Sequence, residues 1–329
     1  MIPSVIIEPQ TRFESFTPYW RNDRILSREF GVKIINGRFD DYRFEKIRNI
    51  VITYWARWAD WREVGRFLVA HRESQLFRML NEYGNTALSG DVVKLIDENE
   101  MIFIANFPRT KTKGKDWWHV NVNTILFEES IIKTSPVVKK YDVIYYGMFR
   151  PDRAIYFRKY FDDRIHVSTS PKNVLLFKNL GVRPRFVSSF LWGPSSTIEN
   201  FRFSLYIEDV YTHAHYNFPA NRFYEALMYR VIILIDASAR KTFDIAGYPV
   251  DDYIVEDADS LHRKVAEISR RYDYHLSRQS KWRERARDER AEVMGRLRPV
   301  FMDEGADDDG ERRTEKRRKR GESQKRTRV

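Results

Sequence analysis

The sequence predicts an α/β protein with at least one Rossmann-like domain, because predicted strands and helices alternate along residues 141–275. Residues 231–235 (VIILI) form an uninterrupted apolar run, which is typical of a strand buried in a parallel sheet. Pro171 stands in the first turn of a predicted helix and Gly181 just past its end, as expected at the two ends of a helix. The 329 residues are enough for two domains of ordinary size.

The elements of this domain follow one another in strand–helix order. Three strands precede the apolar run, at residues 143–146, 165–167 and 203–207. Three helices stand between the strands, at residues 151–161, 170–180 and 218–229. Residues 258–300 carry apolar side chains at the period of one or two amphipathic helices. We therefore divide the chain into an N-terminal domain, a second domain, a C-terminal helix and a tail, at residues 1–135, 136–275, 276–302 and 303–329.

The first 135 residues have a weaker pattern. Four short apolar segments are candidate strands, at residues 5–7, 32–35, 50–53 and 101–105. Residues 54–61 (YWARWADW) cluster aromatic side chains around one arginine and one aspartate. The simplest interpretation of this cluster is helix packing, and the alternative is a platform on which a base or a sugar stacks.

The composition excludes several classes of protein and favours a polyanionic partner. The chain has no cysteine, so a disulfide scaffold, a cysteine-ligated zinc site, an iron–sulfur cluster and a thiol nucleophile are excluded. No apolar run is long enough to span a bilayer, and the start lacks the layout of a signal peptide, so we expect no membrane partner and a cytoplasmic location. Among polyanionic partners, the net charge of +11 favours nucleic acid first and an anionic membrane surface only second.

The charged tail, residues 303–329, contains no apolar residue other than Ala306 and Val329, and we expect it to be disordered. Its ten basic and eight acidic residues give the tail a net charge of +2, so the body of the chain, residues 1–302, carries +9 of the total of +11. One run of bases stands out, consisting of Lys316, Arg317, Arg318, Lys319 and Arg320. This run is a candidate nucleic-acid contact or nuclear signal, and an aid to solubility is an equally good interpretation.

Two segments of the second domain carry residues suited to a phosphate ligand. The strand that ends at Gly147 is followed by Arg150 and Arg153, where a helix begins, and ligands of open α/β sheets bind beyond the carboxyl ends of strands. Arg222 and Glu225 are three residues apart and share one face of the helix at 218–229. They are either a simple ion pair, or an arginine for a phosphate and a carboxylate for a ribose diol.

These segments resemble the phage DNA β-glucosyltransferases, which belong to the GT-B class of glycosyltransferases. The shared segments stand in the same order as in the family: a K-S-P-like segment at 133–137, DVIYYG at 142–147 with two arginines after it, Y-N at 216–217, R-x-x-E at 222–225 and I-D at 235–236. The resemblance covers about residues 117–245 and fades before residue 100. The Gly-rich opening loop of the family has no match in residues 4–12.

The resemblance implies two Rossmann-like domains that face a cleft, in a monomer that takes a nucleotide-sugar donor, a UDP-sugar above all. It implies that Arg150, Arg153 and Arg222 hold the donor pyrophosphate, that Gly147 lets backbone amides approach it, and that Glu225 holds the ribose. Asn217 belongs to the same site, and Ser168 and Thr169 lie beside the nucleobase. The implied acceptor is a hydroxymethylated pyrimidine in double-stranded DNA, which would be flipped out of the stack.

The sequence departs from the family at the catalytic base, because the stretch that carries the family aspartate has Asn106 here. Asp116 is our candidate for the base, and Asp60 and His119 are the alternatives. A retaining enzyme would need no such base, so the anomeric outcome stays open. We assign no metal site: arginines and a helix N-terminus can carry the diphosphate charge, and neither His213-Ala214-His215 nor Asp257-Ala258-Asp259 is a convincing ligand set.

Two other functions remain open at this point. The first keeps the GT-B enzyme and replaces DNA by a protein or glycan acceptor. The second is a DNA-binding protein that has kept the fold without the activity. The positive charge of the body favours DNA over a glycan, because a glycan acceptor does not require it.

Overall fold

The computed structural model describes most of the chain up to residue 302. The described residues are 2–7, 18–35, 39–42, 44–53, 61–80, 100–109, 114–128, 138–187, 197–209, 212 and 217–302. The charged tail and most of the aromatic cluster at 54–61 lie outside them.

The first domain is built on a parallel sheet of six strands. The strands are β1 (Ile2–Ile7), β2 (Lys33–Ile35), β3 (Ile47–Ile52), β4 (Gln75–Leu80), β5 (Ile102–Ala105) and β6 (Asp116–His119), in the spatial order β2-β1-β3-β4-β5-β6. Helix α1 (Pro18–Phe30) connects β1 to β2, and helix α2 (Trp61–Ala70) connects β3 to β4. Val5, Ile6 and Ile7 are fully buried, as expected for a central strand covered on both faces.

The second domain is built on another parallel sheet of six strands. The strands are β7 (Tyr141–Tyr146), β8 (Ile165–Ser168), β9 (Arg185–Val187), β10 (Phe201–Tyr206), β11 (Ile232–Asp236) and β12 (Ile254–Val255). Their spatial order is β12-β11-β10-β7-β8-β9, so β7, the first strand in sequence, lies between the second strand, β8, and the fourth, β10. This is the Rossmann order, in which the chain changes direction across the sheet between the first and the fourth strand.

Among the described residues, five helices accompany the second sheet: α3 (Ala154–Tyr160), α4 (Pro171–Asn179), α5 (Asn221–Met228), α6 (Arg240–Ala246) and α7 (Ala258–Ser269). The predicted alternation of strands and helices is confirmed, and so is the α/β fold class with two Rossmann-like domains. The run at 231–235 forms the buried strand β11, which pairs with β10 on one side and β12 on the other.

Helix α8 (Tyr272–Phe301) joins the two domains through their cores. In its first half, Trp282 and Ala286 pack into the core of the second domain. Near its end, Val293 and Leu297 pack into the core of the first domain, against α1 and the sheet. The backbone carbonyl of Val300 also accepts hydrogen bonds from Ser4 and Asn49, at 2.5 and 2.7 Å. In the described part of the chain, no helix combines the length and the apolar character that crossing a membrane demands.

Candidate functional site

The predicted donor-site residues gather where the second sheet changes direction, at the carboxyl ends of β7 and β10. Gly147 follows β7 directly and has a backbone φ of 147°, a region that side chains other than glycine rarely adopt. Its N–H donates to the carbonyl of Ser168 at the end of β8, at 3.1 Å. Ligands of Rossmann-like sheets bind where the strand order changes direction, here between β7 and β10, which we call the switch point. The position of Gly147 and the strand order therefore indicate the same ligand site.

Two acidic side chains that the sequence analysis did not consider lie at the same place. Glu208 and Asp209 follow the end of β10, separated from it by Ile207 alone, and both are buried. Glu208 forms ion pairs with Arg153 and with Arg222, the latter between Arg222 Nε and Glu208 Oε1 at 2.6 Å. Asp209 lies 3.6 Å from the guanidinium of Arg153. The signal in the sequence was two successive carboxylates at the end of an apolar strand.

Asp209 is held in its ionised form. Burial alone would raise the pKa of Asp209, but hydrogen bonds from the backbone N–H and the hydroxyl of Thr212, at 2.8 and 2.9 Å, lower it overall. The guanidinium groups of Arg153 and Arg150 lower it further. The carboxylate therefore contributes a full negative charge beside the arginines at neutral pH.

The three predicted phosphate-binding arginines differ in what they can do. Arg153 is buried and Arg222 is largely so, with 7% and 13% of their side chains exposed, and Glu208 pairs with both guanidinium groups. Burial alone would lower the pKa of Arg222, but Glu208 raises it above the ordinary value. Arg150 has 38% of its side chain exposed, and it pairs with the exposed Asp152 at 2.5 Å and with the buried Asp209 at 3.5 Å. Arg150 is thus the arginine that can turn to an incoming anion, whereas Arg153 and Arg222 fix the carboxylate of Glu208.

Glu225, on α5, is 2% exposed and lies beside the ion pairs. Burial raises its pKa to about 7, although Arg21, Arg222 and a hydrogen bond with Tyr146 oppose the rise. Its Oε1 has no hydrogen-bond partner among the described residues. A buried carboxylate that is partly ionised at neutral pH and has an unused oxygen can accept hydrogen bonds from a diol.

The remaining predicted donor residues lie at the rim of this site. Ser168 and Thr169 are buried at and just after the end of β8, and Thr169 Oγ1 is without a hydrogen-bond partner in the described part of the chain. Asn217 lies half-buried in the bend before α5 and takes no part in the ion-pair cluster formed by the described residues. The structure therefore brings together Gly147, Arg150, Arg153, Ser168, Thr169, Arg222 and Glu225.

The candidate bases are placed very differently. Asp116 begins β6, at the amino end of the strand, and its two oxygens accept hydrogen bonds from the Trp117 backbone at 2.7 Å and the Trp118 indole at 2.9 Å. These bonds lower the pKa of Asp116, which makes it a weaker base. Both observations argue against Asp116. Asp60 lies outside the described residues.

His119 ends β6, at the carboxyl edge of the first sheet, and its ring lies 4.9 Å from that of Phe218 in the second domain. Burial lowers the pKa of His119, so the imidazole is neutral at pH 7 and can accept a proton. Its Nε2 is buried and, among the residues the structure describes, has no hydrogen-bond partner. The sequence analysis named His119 only as an alternative, because strand β6 itself was not predicted.

Of the other sequence patterns, the structure describes the segment Asp257-Ala258-Asp259. Within the described ranges, no group of three His, Asp or Glu side chains is arranged to hold a metal ion. Asp257 caps α7 by accepting from the Ser260 N–H at 2.7 Å. His213, His215 and the basic run Lys316, Arg317, Arg318, Lys319 and Arg320 lie outside the described residues.

Comparison with known proteins finds similarity in structure and none in sequence. No protein-family model matches the chain, and no curated protein matches its sequence. A pneumococcal O-GlcNAc transferase, GtfA, solved in complex with UDP and GlcNAc, is similar over 80% of this chain with 9% identity and a TM-score of 0.45, and the match spans 59% of that chain. An α,α-trehalose 6-phosphate synthase from Burkholderia multivorans is similar over 78% of this chain and 73% of its own, with 9% identity and a TM-score of 0.36.

Proposed function

We propose that the protein is a glycosyltransferase that moves a sugar from a nucleotide-sugar donor, a UDP-sugar, to a hydroxymethylated pyrimidine in double-stranded DNA. The observation that carries the proposal is the convergence of Gly147, Arg150 and Glu225 at the switch point of a sheet in Rossmann order. This convergence suits a ligand with a diphosphate at one end and a ribose at the other.

The residues present fit such a donor. Arg150 and the backbone after Gly147 would hold the diphosphate, and Glu225 would accept from the ribose hydroxyls through the oxygen that lacks a partner among the described residues. Ser168 and Thr169, at the end of the neighbouring strand, would lie beside the nucleobase. Arg153 and Arg222 contribute indirectly, because they hold Glu208 in place.

In a direct displacement, the oxygen of the acceptor hydroxyl forms a new bond to the anomeric carbon of the sugar. The bond from that carbon to the diphosphate breaks, and its electron pair leaves with the nucleoside diphosphate. The hydroxyl proton needs a base within hydrogen-bond reach, and we assign this role to His119, whose imidazole is neutral at pH 7 and which ends β6 at the carboxyl edge of the first sheet. Arg150 would stabilise the charge that develops on the departing diphosphate.

The argument for DNA is the charge of the body, which is +9 without the tail. Phosphate contacts release counterions, so binding to duplex DNA should weaken steeply as salt rises. An unmodified pyrimidine has no nucleophilic hydroxyl, so transfer should require the hydroxymethyl group even though binding does not.

The deciding experiment incubates the protein with labelled nucleotide sugars and duplexes that contain plain or hydroxymethylated cytosine or uracil. We expect label on a hydroxymethylated duplex, and we expect it in EDTA as well, because arginine and backbone amides supply the donor contacts. Label on neither modified duplex with any sugar would contradict the DNA proposal; label on a protein or glycan would replace it. DNA binding without turnover of any nucleotide sugar would indicate an inactive relative.

The donor site is tested separately by a matched pair of variants. Arg150→Gln removes the exposed arginine at the switch point, and we expect nucleotide affinity to fall about tenfold or more. Arg164→Gln is the control, since Arg164 is similarly exposed and pairs with Asp162 two residues away, at the amino end of β8. Equal affinities in the two variants would move the donor away from this site.

A further inference from the structure

Helix α5 of the second domain, which carries Arg222 and Glu225, packs against a segment of the first domain. This segment follows β6 and comprises residues 121–128, which we call the docking segment. Residues Val122–Leu126 within it form a short 3₁₀-helix, and all five are buried. The apolar side chains of this helix belong to the same core cluster as those of α1 and the first sheet. The docking segment is therefore an integral part of the first domain.

The docking segment contacts α5 at both ends of the helix. Before α5 begins, Nδ2 of Asn123 donates a hydrogen bond to the backbone carbonyl of Pro219 at 2.9 Å. In the last turn of α5, Sδ of Met228 lies 3.2 Å from the backbone nitrogen of Glu128. Asn123, Glu128 and Met228 are all buried, so little water competes for these contacts. Contacts at both ends hold the helix against sliding along its axis.

Between these ends, a network of polar side chains joins the middle of α5 to the docking segment and to α8. Asn121 Nδ2 donates a hydrogen bond to the hydroxyl of Tyr224, on α5, at 2.6 Å. Glu289, on α8, accepts through Oε2 from Asn121 and from Tyr224, both at 3.3 Å. Tyr248 donates to the same oxygen at 3.1 Å, and Arg285 donates to Oε1 at 3.0 Å. Asn121 thus brings the first domain into a network that includes the middle of α5.

The contact between Asn121 and Tyr224 lies beside the donor-site residues of the helix. Tyr224 immediately precedes Glu225 and stands two residues after Arg222, so a movement of Tyr224 with its helix displaces both of these side chains. Tyr224 is fully buried. Loss of the 2.6 Å hydrogen bond from Asn121 is therefore costly, and it weakens the hold of the first domain on α5.

We propose that Asn121 is a positioning residue of the donor site, which fixes α5 through Tyr224 so that Arg222 and Glu225 keep their places at the switch point. The inference rests on the proposed function for the ligand that these residues serve, but the docking of α5 on the first domain does not. Since Asn121 belongs to the first domain, nucleotide affinity depends on both domains.

The first experiment measures hydrogen exchange of backbone amides in the full chain without nucleotide. In Asn121→Ala we expect the amides of α5 to exchange about fivefold faster relative to those of β11, because the helix opens locally more often. Tyr224→Phe removes one oxygen atom from the other side of the same contact and should have the same effect. The control is Asn49→Ala, which should leave the ratio unchanged. Asn49 is as buried as Asn121, at 6% and 5% exposed, but its hydrogen bonds go to Ser4 and to the carbonyl of Val300.

The second experiment measures UDP affinity by calorimetric titration. Asn121→Ala and Tyr224→Phe should each bind UDP about fivefold more weakly than the wild type, at the lower end of the usual coupling between two sites. Asn49→Ala should bind UDP like the wild type. Because Asn121→Ala and Tyr224→Phe break the same contact, the double variant should bind about as tightly as either single variant.

The two experiments separate the role of Asn121 from the proposed function. If α5 exchanges in Asn121→Ala and Tyr224→Phe as it does in Asn49→Ala, the role of Asn121 is overturned. Unchanged UDP affinity in these two variants, or losses that add in the double variant, would overturn it as well. If Asn121→Ala does not fold, Tyr224→Phe makes the same tests from α5. Failure of the wild type to bind UDP or any nucleotide sugar would contradict the proposed function, and the exchange ratio alone would then decide whether Asn121 fixes α5.

Discussion

Replacing Glu208 by glutamine should destabilise the folded protein and at the same time increase its affinity for a nucleotide. Glu208 is the buried carboxylate that joins Arg153 to Arg222, and the side chains of these two arginines are 7% and 13% exposed. Glutamine keeps the size of the side chain and removes its charge. Two buried guanidinium groups then lose their principal counter-charge.

The cost follows from the burial of the three groups. Removing one partner of a buried ion pair costs about 3–5 kcal/mol, because the remaining charge is left uncompensated. Asp209, 3.6 Å from Arg153, offsets part of this loss, so we expect the free energy of unfolding to fall by about 3 kcal/mol.

The effect on the ligand has the opposite sign. Without Glu208 the site carries one negative charge fewer, and a diphosphate beside it meets less repulsion. At an effective dielectric constant of about 20, the reduced repulsion is worth more than about 1.4 kcal/mol of binding free energy. That corresponds to an increase in affinity of at least tenfold. Saturation with UDP at about one hundred times its dissociation constant should then return about 2.7 kcal/mol of the lost stability.

Urea unfolding and calorimetric titration with UDP measure the two effects. The control is Asp142→Asn, which breaks the exposed pair between Asp142 and Arg202 at 3.3 Å and should cost less than about 1 kcal/mol without altering UDP affinity. A Glu208→Gln protein as stable as this control would show that the ion pairs do not hold the site together. Weaker UDP binding in Glu208→Gln would show that Glu208 contacts the ligand directly.

Three further predictions concern the loop, the base and the tail. Gly147→Ala should lower the free energy of unfolding by about 1–3 kcal/mol and abolish UDP binding, because a φ of 147° strains alanine. Denaturant unfolding and calorimetric titration measure the two effects, and a variant that behaves like the wild type would contradict the loop assignment. His119→Gln should lower kcat about 100-fold with donor affinity unchanged, whereas Asp116→Asn should leave kcat unchanged. A large loss of kcat in Asp116→Asn and none in His119→Gln would instead identify Asp116 as the base. Deleting residues 303–329 should leave the melting temperature unchanged and reduce the salt dependence of DNA binding, and an unaltered salt slope would make the tail a solubility feature.

The second domain could be predicted from the sequence because its strands are short apolar runs separated by helices with clear ends. Strand β11 is a continuous apolar run, and α4 has Pro171 at its start and Gly181 shortly after its end. The first domain was harder, because four of its strands contain a charged residue, and two of these four, β4 and β6, were not among the candidate strands. β4 includes Arg78, which is buried, and β6 begins with Asp116, so neither strand has an apolar pattern.

The residues of the candidate site could be named from the sequence, but the charge balance among them could not. Gly147, Arg150 and Glu225 were identifiable because each has a local signature at the end of a strand or on one helix face. That Glu208 would neutralise Arg222 depends on the order of the strands, since β7 and β10 are far apart in sequence and adjacent in the sheet. Arg21 is farther still, and no local pattern relates it to Glu225.

The charge balance also bears on how the site would respond to a ligand. Arg153 and Arg222 are matched by Glu208 and Asp209, so the buried part of the cluster is close to neutral before any nucleotide arrives. A neutral, fully paired cluster is stable on its own and provides little attraction for a dianion. Binding must therefore draw on Arg150, the backbone after Gly147 and the ionisation of Glu225. The positive charge of Arg21, on α1 of the first domain, lowers the pKa of Glu225, so the ionisation of this carboxylate does not depend on the second domain alone.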